Sequence, residues 1–445
     1  MFRTSGGRRG VDNAAMAKTF RPYDPDQLLL MPPALADWVP EDHLARFVSD
    51  VVDTLDLTAL EEAYPEERGY PPYHPRMMVK VLLYGYCTGV YSSRKLARQL
   101  TDSVAFRFLA AGNQPDFRTV SEFRKRHGAA LAGLFQQVLR LCRQAGLVKL
   151  GQVAIDGTKV KANASKHKAM SYGRMQQTEA ALVAEVAELL RRAEAADRDE
   201  DARYGAEQRG EELPAELARR ESRLAKIREA KAALEAEARA RAQAAGQPPD
   251  DARPPDKAQR NFTDPESKIQ KTSDGFIQGY SGQVAVDAHA QVIVAQGVTP
   301  AAQDVKELEP MVTAVITGLR RKPTRVLADA GYWSEANIVT LERRGIEPFI
   351  ATKRDPHTEP PGPAPRGRPP AGLTVRERMA RKLRTRRGRR CYARRKAIVE
   401  PVFGQIKHAR GFRQFLRRGL ARVREEWALL CTVHNLWKLY AATIQ

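Results

Sequence analysis

The 445-residue sequence predicts a mixed α/β core, preceded by an all-α domain and interrupted by a helical hairpin. Three observations predict it. Apolar residues recur at helical spacing through residues 40–147. Beyond residue 151, β-branched runs and helical segments follow in the order strand, hairpin, helix, strand, helix, strand. Between them an Ala-rich stretch keeps spacings of four and three, as in Leu182, Val186, Leu189, Ala193 and Ala196. Composition narrows the partner. The formal charge is +21, from 74 Lys and Arg against 53 Asp and Glu, which points to a polyanion. No apolar run reaches the roughly 18 residues of a membrane span, and no basic amphipathic anchor stands out, so nucleic acid is favoured over a membrane. Cys87, Cys142, Cys391 and Cys431 are far apart with no CxxC, which argues against a zinc site or disulfide framework and fits a reducing compartment.

Taken in order, residues 1–39 form an N-terminal extension. Its opening MFRTSGGRRG lacks the apolar segment of a secretory signal, and both Met1 and Met16 stand as candidate starts. Domain 40–147 is predicted to hold helices at 43–56, 74–90, 92–103, 118–127 and 129–146, with Ser92 or Ser93 as an N-cap. Arg94, Lys95 and Arg98 on one helix, and Arg118, Arg124, Lys125 and Arg126 on another, suit a helix-turn-helix-like DNA reader. The plainer alternative is a packing domain with a solvated basic face. The α/β domain comprises 148–172 and 260–445, split by an insertion at 173–259. The insertion reads as an antiparallel pair of helices, 175–197 and 215–240, closed by the Pro-rich linker QPPDDARPPD. An arm on DNA, a dimer contact and a spacer all fit it.

The first strand of the α/β domain is GQVAID, 151–156. After the insertion come a hairpin at 282–300 around the turn DAHA, helix 303–319, strand 325–330, helix 334–344 and strand 347–352. Asp287 and Asp304 read as turn and helix-start caps. The segment 354–372 holds seven prolines and predicts a loop. Residues 376–424 then carry nineteen Lys and Arg against two acids, a solvated or phosphate-binding surface. A last helix, EEWALLCTVHNLWKLYAA, reads as amphipathic and packed on the core.

Three acids stand out by position. Asp156 ends the strand in VAIDGTK, Asp329 ends another in VLADAGYW, and Glu400 lies in the basic helix RRKAIVEPVFGQIK. A carboxylate at the end of an apolar strand is costly to bury unpaired. Two such strands side by side would set the acids close together, and their repulsion would call for a cation between them. Mg²⁺, with few carboxylates, waters and phosphate oxygens, suits such a site and suits phosphoryl transfer. Taken singly, each acid has a plainer reading: a turn for Asp156-Gly and for Asp329-Ala-Gly, and neutralisation of neighbouring arginines for Glu400.

These motifs, IDGTKVKANAS (155–165), ADAGYWSEANI (328–338) and CYARRKAIVEPVFGQIKHARGFRQFLRRG, resemble those of the DDE transposases of bacterial insertion sequences. The segments NFTDPESKIQKTSDGFIQGYSGQVAVDAHAQVIVA and YPPYHPRMMVKVLLYGYCTGVYSSRKLARQL extend the resemblance over nearly the whole chain. It implies a ribonuclease H-like catalytic core with a helical N-terminal domain, and a metal triad of Asp156, Asp329 and Glu400. Two Mg²⁺ ions, with Mn²⁺ as a substitute, are the implied cofactors. In the family a Tyr, an Arg, the Glu and a Lys share one helical region. Glu400 and Lys407 keep the seven-residue step, Lys396 with Arg395 beside it fills the Arg position, and Tyr392 is displaced by one. Lys159, Lys161 and Arg413 complete the candidate DNA contacts. Relatives often carry a β-rich insert between the second Asp and the Glu; here that interval is short, and a helical insertion follows the first Asp instead. The implied activity is metal-dependent cleavage and strand transfer of DNA during transposition, in the cytoplasm at the nucleoid. The implied partners are the element's terminal inverted repeats and target DNA, bound by a homodimer or larger assembly. The rival readings are an inactive or domesticated DNA-binding derivative and a ribonuclease H-like nuclease unconnected with mobility.

Overall fold

The computed structural model describes residues 34–64, 72–204, 212–272, 275–353 and 363–444. Most of the N-terminal extension, the tip of the helical insertion and the first half of the Pro-rich loop lie outside the described residues. The helical region contains α1 (Leu44–Thr54), α2 (Thr58–Glu61), α3 (Pro75–Cys87), α4 (Ser93–Asp102), α5 (Val104–Leu109), α6 (Phe117–Arg126) and α7 (Gly128–Gln144). Their starts follow local chemistry. Pro75 opens α3, where its missing N–H is harmless, and the His74 ring accepts from the Arg76 N–H. The Asp116 carboxylate accepts from Thr119 N–H at the head of α6. The end of the extension is docked rather than loose. Val39 is buried, and the Arg46 guanidinium donates to the carbonyls of Ala36 and Val39.

The α/β region opens with β1 (Gln152–Lys161). It continues through β2 (Ala169–Ser171), α8 (Tyr172–Tyr204), α9 (Glu212–Ala244), β3 (Gln259–Asn261), β4 (Lys268–Thr272), β5 (Gly275–Asp287) and β6 (Ile293–Thr299). It ends with α10 (Leu308–Leu319), β7 (Arg325–Ala328), α11 (Glu335–Arg343), β8 (Glu347–Ile350), α12 (Val375–Arg384), α13 (Arg386–Gly404) and α14 (Leu420–Thr443). The main sheet runs β4-β5-β1-β7-β8, and β6 shares the β4 edge of β5. β5 is antiparallel to β1, β4 and β6, whereas β1, β7 and β8 are parallel. This is the mixed sheet with flanking helices that the sequence predicts.

β1 runs five residues past the predicted end, because 157–161 pair with 279–283 of β5. Asp156 therefore stands inside a strand. Gly157 makes no turn; a Cβ there would lie 2.5 Å from Gln283 Nε2 and 3.0 Å from Ser281 Oγ, so its smallness admits those side chains. β4 and the β2–β3 pair at the base of the insertion are additional to the prediction. Their sequences, KIQKT, AMS and QRN, are short and polar.

α14 corrects a second expectation. It is not amphipathic at its centre: every residue from Glu426 to Leu436 is buried. A helix buried all round lies within the core. Here it joins the α-helical region to the sheet. Asn435 bonds both backbone groups of Ile293 on β6, at 2.8 and 2.9 Å, and Trp437 Nε1 donates to the Cys87 carbonyl at 3.0 Å. One apolar core is thus continuous from α1 to α14. The α8–α9 hairpin has its own small cluster, with Tyr172, Met175, Leu182, Leu224, Ile227 and Leu234. Among the described residues no helix is long and apolar enough to cross a membrane.

Candidate active site

The parallel pairing of β1 with β7 sets Ile155 opposite Ala328, so the next residues, Asp156 within β1 and Asp329 just past the end of β7, come side by side. α13 lies against these strands and brings a cation to them. Arg395 Nη1 donates to Asp156 Oδ2 at 2.6 Å, with both side chains largely buried. Asp156 Oδ1 accepts from its neighbour Gly157 N–H at 2.8 Å, and Asp329 Oδ1 from Gly331 N–H at 2.8 Å. Burial pushes the Asp156 carboxyl up to about 6; Arg395 opposes that shift and the Asp329 charge adds to it. Burial lowers the Arg395 pKa, but Asp156, Tyr392 and Asp329 together outweigh it and hold the guanidinium above its ordinary range.

Glu400 sits one and a half turns beyond Arg395 on α13, exposed to solvent. Among the described residues no three His, Cys, Asp or Glu side chains stand close enough to hold a metal ion. The structure thus brings Asp156 and Asp329 together and leaves Glu400 on the adjoining helix. Pro401 follows it inside the helix. Proline has no N–H for the carbonyl four residues back, and that carbonyl, of Ala397, accepts from Gln291 Nε2 at 2.9 Å instead. A π turn, Gln405–Ala409, then carries the chain to Lys407.

The predicted DNA contacts divide into two groups. Lys161, Lys396 and Arg413 are exposed. Lys407 Nζ donates to the Lys159 carbonyl at 2.7 Å, which ties the π turn to β1. Lys159 Nζ meets Ser281 Oγ at 3.1 Å and Asp304 Oδ1 at 3.5 Å. Tyr392 is half-buried beneath Arg395, whose guanidinium carbon lies 6.0 Å from the ring centre. In the helical region Arg94, Lys95, Arg98, Arg118, Lys125 and Arg126 are exposed. Arg124 is not part of that face. It donates to the Tyr91 carbonyl at 2.7 Å and to Ser93 Oγ, and so ties α6 to the start of α4.

Sequence reasoning missed a polar network beside the two aspartates. Asp304 does not cap a helix through its side chain. Its Oδ1 accepts from Gln283 Nε2 at 2.6 Å and from Ser281 Oγ at 3.3 Å, and Tyr332 OH donates to Gln283 Oε1. A Cβ at Gly331 would lie 3.0 Å from Asp329 Oδ1 and 3.7 Å from Asp304 Oδ2, so these acids flank one point. Burial, then Asp304, Asp156 and Asp329 in turn, hold the Tyr332 hydroxyl well above the usual phenol range. A signal was available: Ser281 and Gln283 are polar residues on one face of a strand buried throughout that stretch. Asp287, by contrast, is a turn acid as expected, accepting from Leu150 N–H at 2.6 Å and His289 N–H at 2.8 Å.

Comparison with known proteins bears directly on this geometry. A family described as "Transposase domain (DUF772)" matches residues 33–126, and "Transposase DDE domain" matches residues 249–436. Asp329 and Glu400 fall within the second match; Asp156 falls in neither, being separated from it by the helical insertion. A Burkholderia cepacia protein named as the transposase for insertion sequence element IS402 is 36% identical over 85 residues, covering 18% of this chain and 40% of the relative. The match therefore spans about 40% of the length of that relative. No solved structure matches. With a helical region and a mixed α/β core each falling on a transposase family, and with the IS402 relative beside them, the comparisons support a DDE-type transposase of bacterial insertion sequences.

Proposed function

We propose that this transposase cleaves DNA at the ends of a mobile element and joins them to target DNA, with Asp156, Asp329 and Glu400 holding divalent metal. The observation that carries the reading is the adjacency of Asp156 and Asp329 at the parallel strand pair, with a buried cation already drawn to them. Like charges held this close favour a positive partner, and a pair of hard carboxylate oxygens fits Mg²⁺ or Mn²⁺. When bound, the metal supplies activation of the attacking oxygen and charge stabilisation of the leaving one. The chain's own residues position the strand. Lys161, Lys396 and Arg413 offer exposed charges to backbone phosphates, and Tyr392 with Arg395 walls the carboxylate side. Arg395 Nε is buried without a partner among the described residues. The antiparallel β6-β5 hairpin beside three parallel strands supports a ribonuclease H-like reading of the core.

The test separates chemistry from binding. Asp156→Asn, Asp329→Asn and Glu400→Gln should each abolish cleavage of a labelled duplex bearing the element end, with affinity for that duplex kept. Combining them should cost no more than one alone, because they act as a unit. Full cleavage by Glu400→Gln would remove this exposed residue from the triad. Full cleavage in EDTA by the unaltered protein would sink the metal mechanism.

A further inference from the structure

A groove runs beside β1 between the β4–β5 pair and the π turn. Its titratable side chains are Lys159, Lys161, Lys166, Lys407, His408 and Arg413, and among the described residues no Asp or Glu lines it. Charge of one sign, gathered from two separate stretches of chain, fits a polyanion. Charge alone, however, would suit the backbone of any duplex. One further feature narrows the ligand. Phe276, at the start of β5, lines the same groove and is 61% exposed. A phenyl face is the partner of an unstacked base, and paired bases in a duplex have no free face to offer.

We propose that this groove holds an unpaired segment of the DNA strand near the cut, with a base stacked on Phe276. The inference rests on the cleavage reading and names the form of DNA that reading leaves open. β1 itself sets the distance. At about 3.3 Å per residue, Lys159 and Lys161 lie roughly 10 and 17 Å along the strand from Asp156.

The experiment compares a labelled thymidine oligonucleotide with a blunt duplex, at one salt concentration, on the full chain. Phe276→Ala should weaken oligonucleotide binding between about fivefold and a hundredfold, the range for loss of one stacked base. Duplex binding should stay unchanged, and Phe276→Trp should restore the oligonucleotide. Unchanged oligonucleotide binding by Phe276→Ala, or equal losses on both DNAs, would overturn the proposal. Cleavage of the duplex by the unaltered protein is read alongside. Its absence would count against the cleavage reading, whereas its presence with an unaffected Phe276→Ala oligonucleotide affinity would count against the groove alone.

Discussion

At Asp156, burial and the neighbouring Asp329 both oppose ionisation, and the Arg395 guanidinium favours it. Removing that guanidinium leaves a largely buried carboxylate with no cation. Arg395→Gln should therefore lower stability in EDTA by about 1–3 kcal/mol, less than a fully buried pair because some solvent reaches both groups. Mg²⁺ should narrow the gap to the unaltered protein in thermal melts; an equal gap with and without Mg²⁺ would show that Arg395 does not stand in for a metal there. Asp304 and Asp287 make a second contrast. Asp304→Asn should cut cleavage about tenfold to a hundredfold, the usual effect of disturbing a residue that supports a ligand, while Asp287→Asn should act on stability. Equal activity in the two variants would detach Asp304 from the site. Glu426 supplies a pH test. It is buried, accepts from the N–H groups of Leu416 and Arg417, and burial pushes it from an ordinary 4.5 up to about 7. Between those values the folded state holds a proton that the unfolded chain has lost, so stability falls as pH rises and levels off above about 7. The difference in unfolding free energy between the unaltered protein and Glu426→Gln should change by up to about 3 kcal/mol across that window and be flat above it. A flat difference throughout would mean Glu426 is ionised at all these pH values in the folded protein.

Among the elements, those with a clear period were legible in the sequence. The five predicted N-terminal helices all form, within a few residues at each end, because each pairs an apolar stripe with a capping or turn residue. The strands that carry Asp156 and Asp329 were legible too, as apolar runs that end near an acid. β4, β2 and β3 were not, because their few residues gain β structure only by pairing with partners that are remote in sequence, such as Gln259–Asn261 with Ala169–Ser171. The place of Glu400 is also beyond sequence, since helical spacing assigns a side chain to a face but not to a distance from another strand. The α8–α9 hairpin shows how separable an element can be. Ile227 is buried within a cluster of its own, apart from the main core. Ile227→Asp should expose amide hydrogens in 219–244 to rapid exchange while β1 and β5 stay protected. Loss of protection in β1 and β5 as well would show that hairpin and core unfold together.

For the whole molecule, a charge of +21 says that a polyanion binds but not where. The nineteen cations of residues 376–424 are not one surface. Arg387 and Lys382 both pair with Glu347, which also holds Arg325. Arg395 is buried against Asp156, and Arg410 is largely buried, its Nε and Nη2 without partners among the described residues. What remains exposed on α13 includes Arg386, Arg390 and Arg394, spaced by four and so aligned on one stripe of the helix. Each phosphate that such a stripe neutralises releases counterions, and the dependence of log affinity on log salt steepens by about 0.9 per contact. Changing Arg386, Arg390 and Arg394 together to Gln should weaken binding to every duplex alike and flatten the slope by between about 0.9 and 2.7, for one to three lost contacts. Arg387→Gln is the counterpart. Its charge is engaged with Glu347 in the folded chain, so its loss should leave the slope within the error of the unaltered protein. Filter binding or anisotropy over a salt series reads both. An unchanged slope in the triple variant would show that α13 turns this stripe away from DNA, and the search for the backbone contacts would pass to the exposed arginines of α4 and α6, Arg94, Arg98 and Arg118.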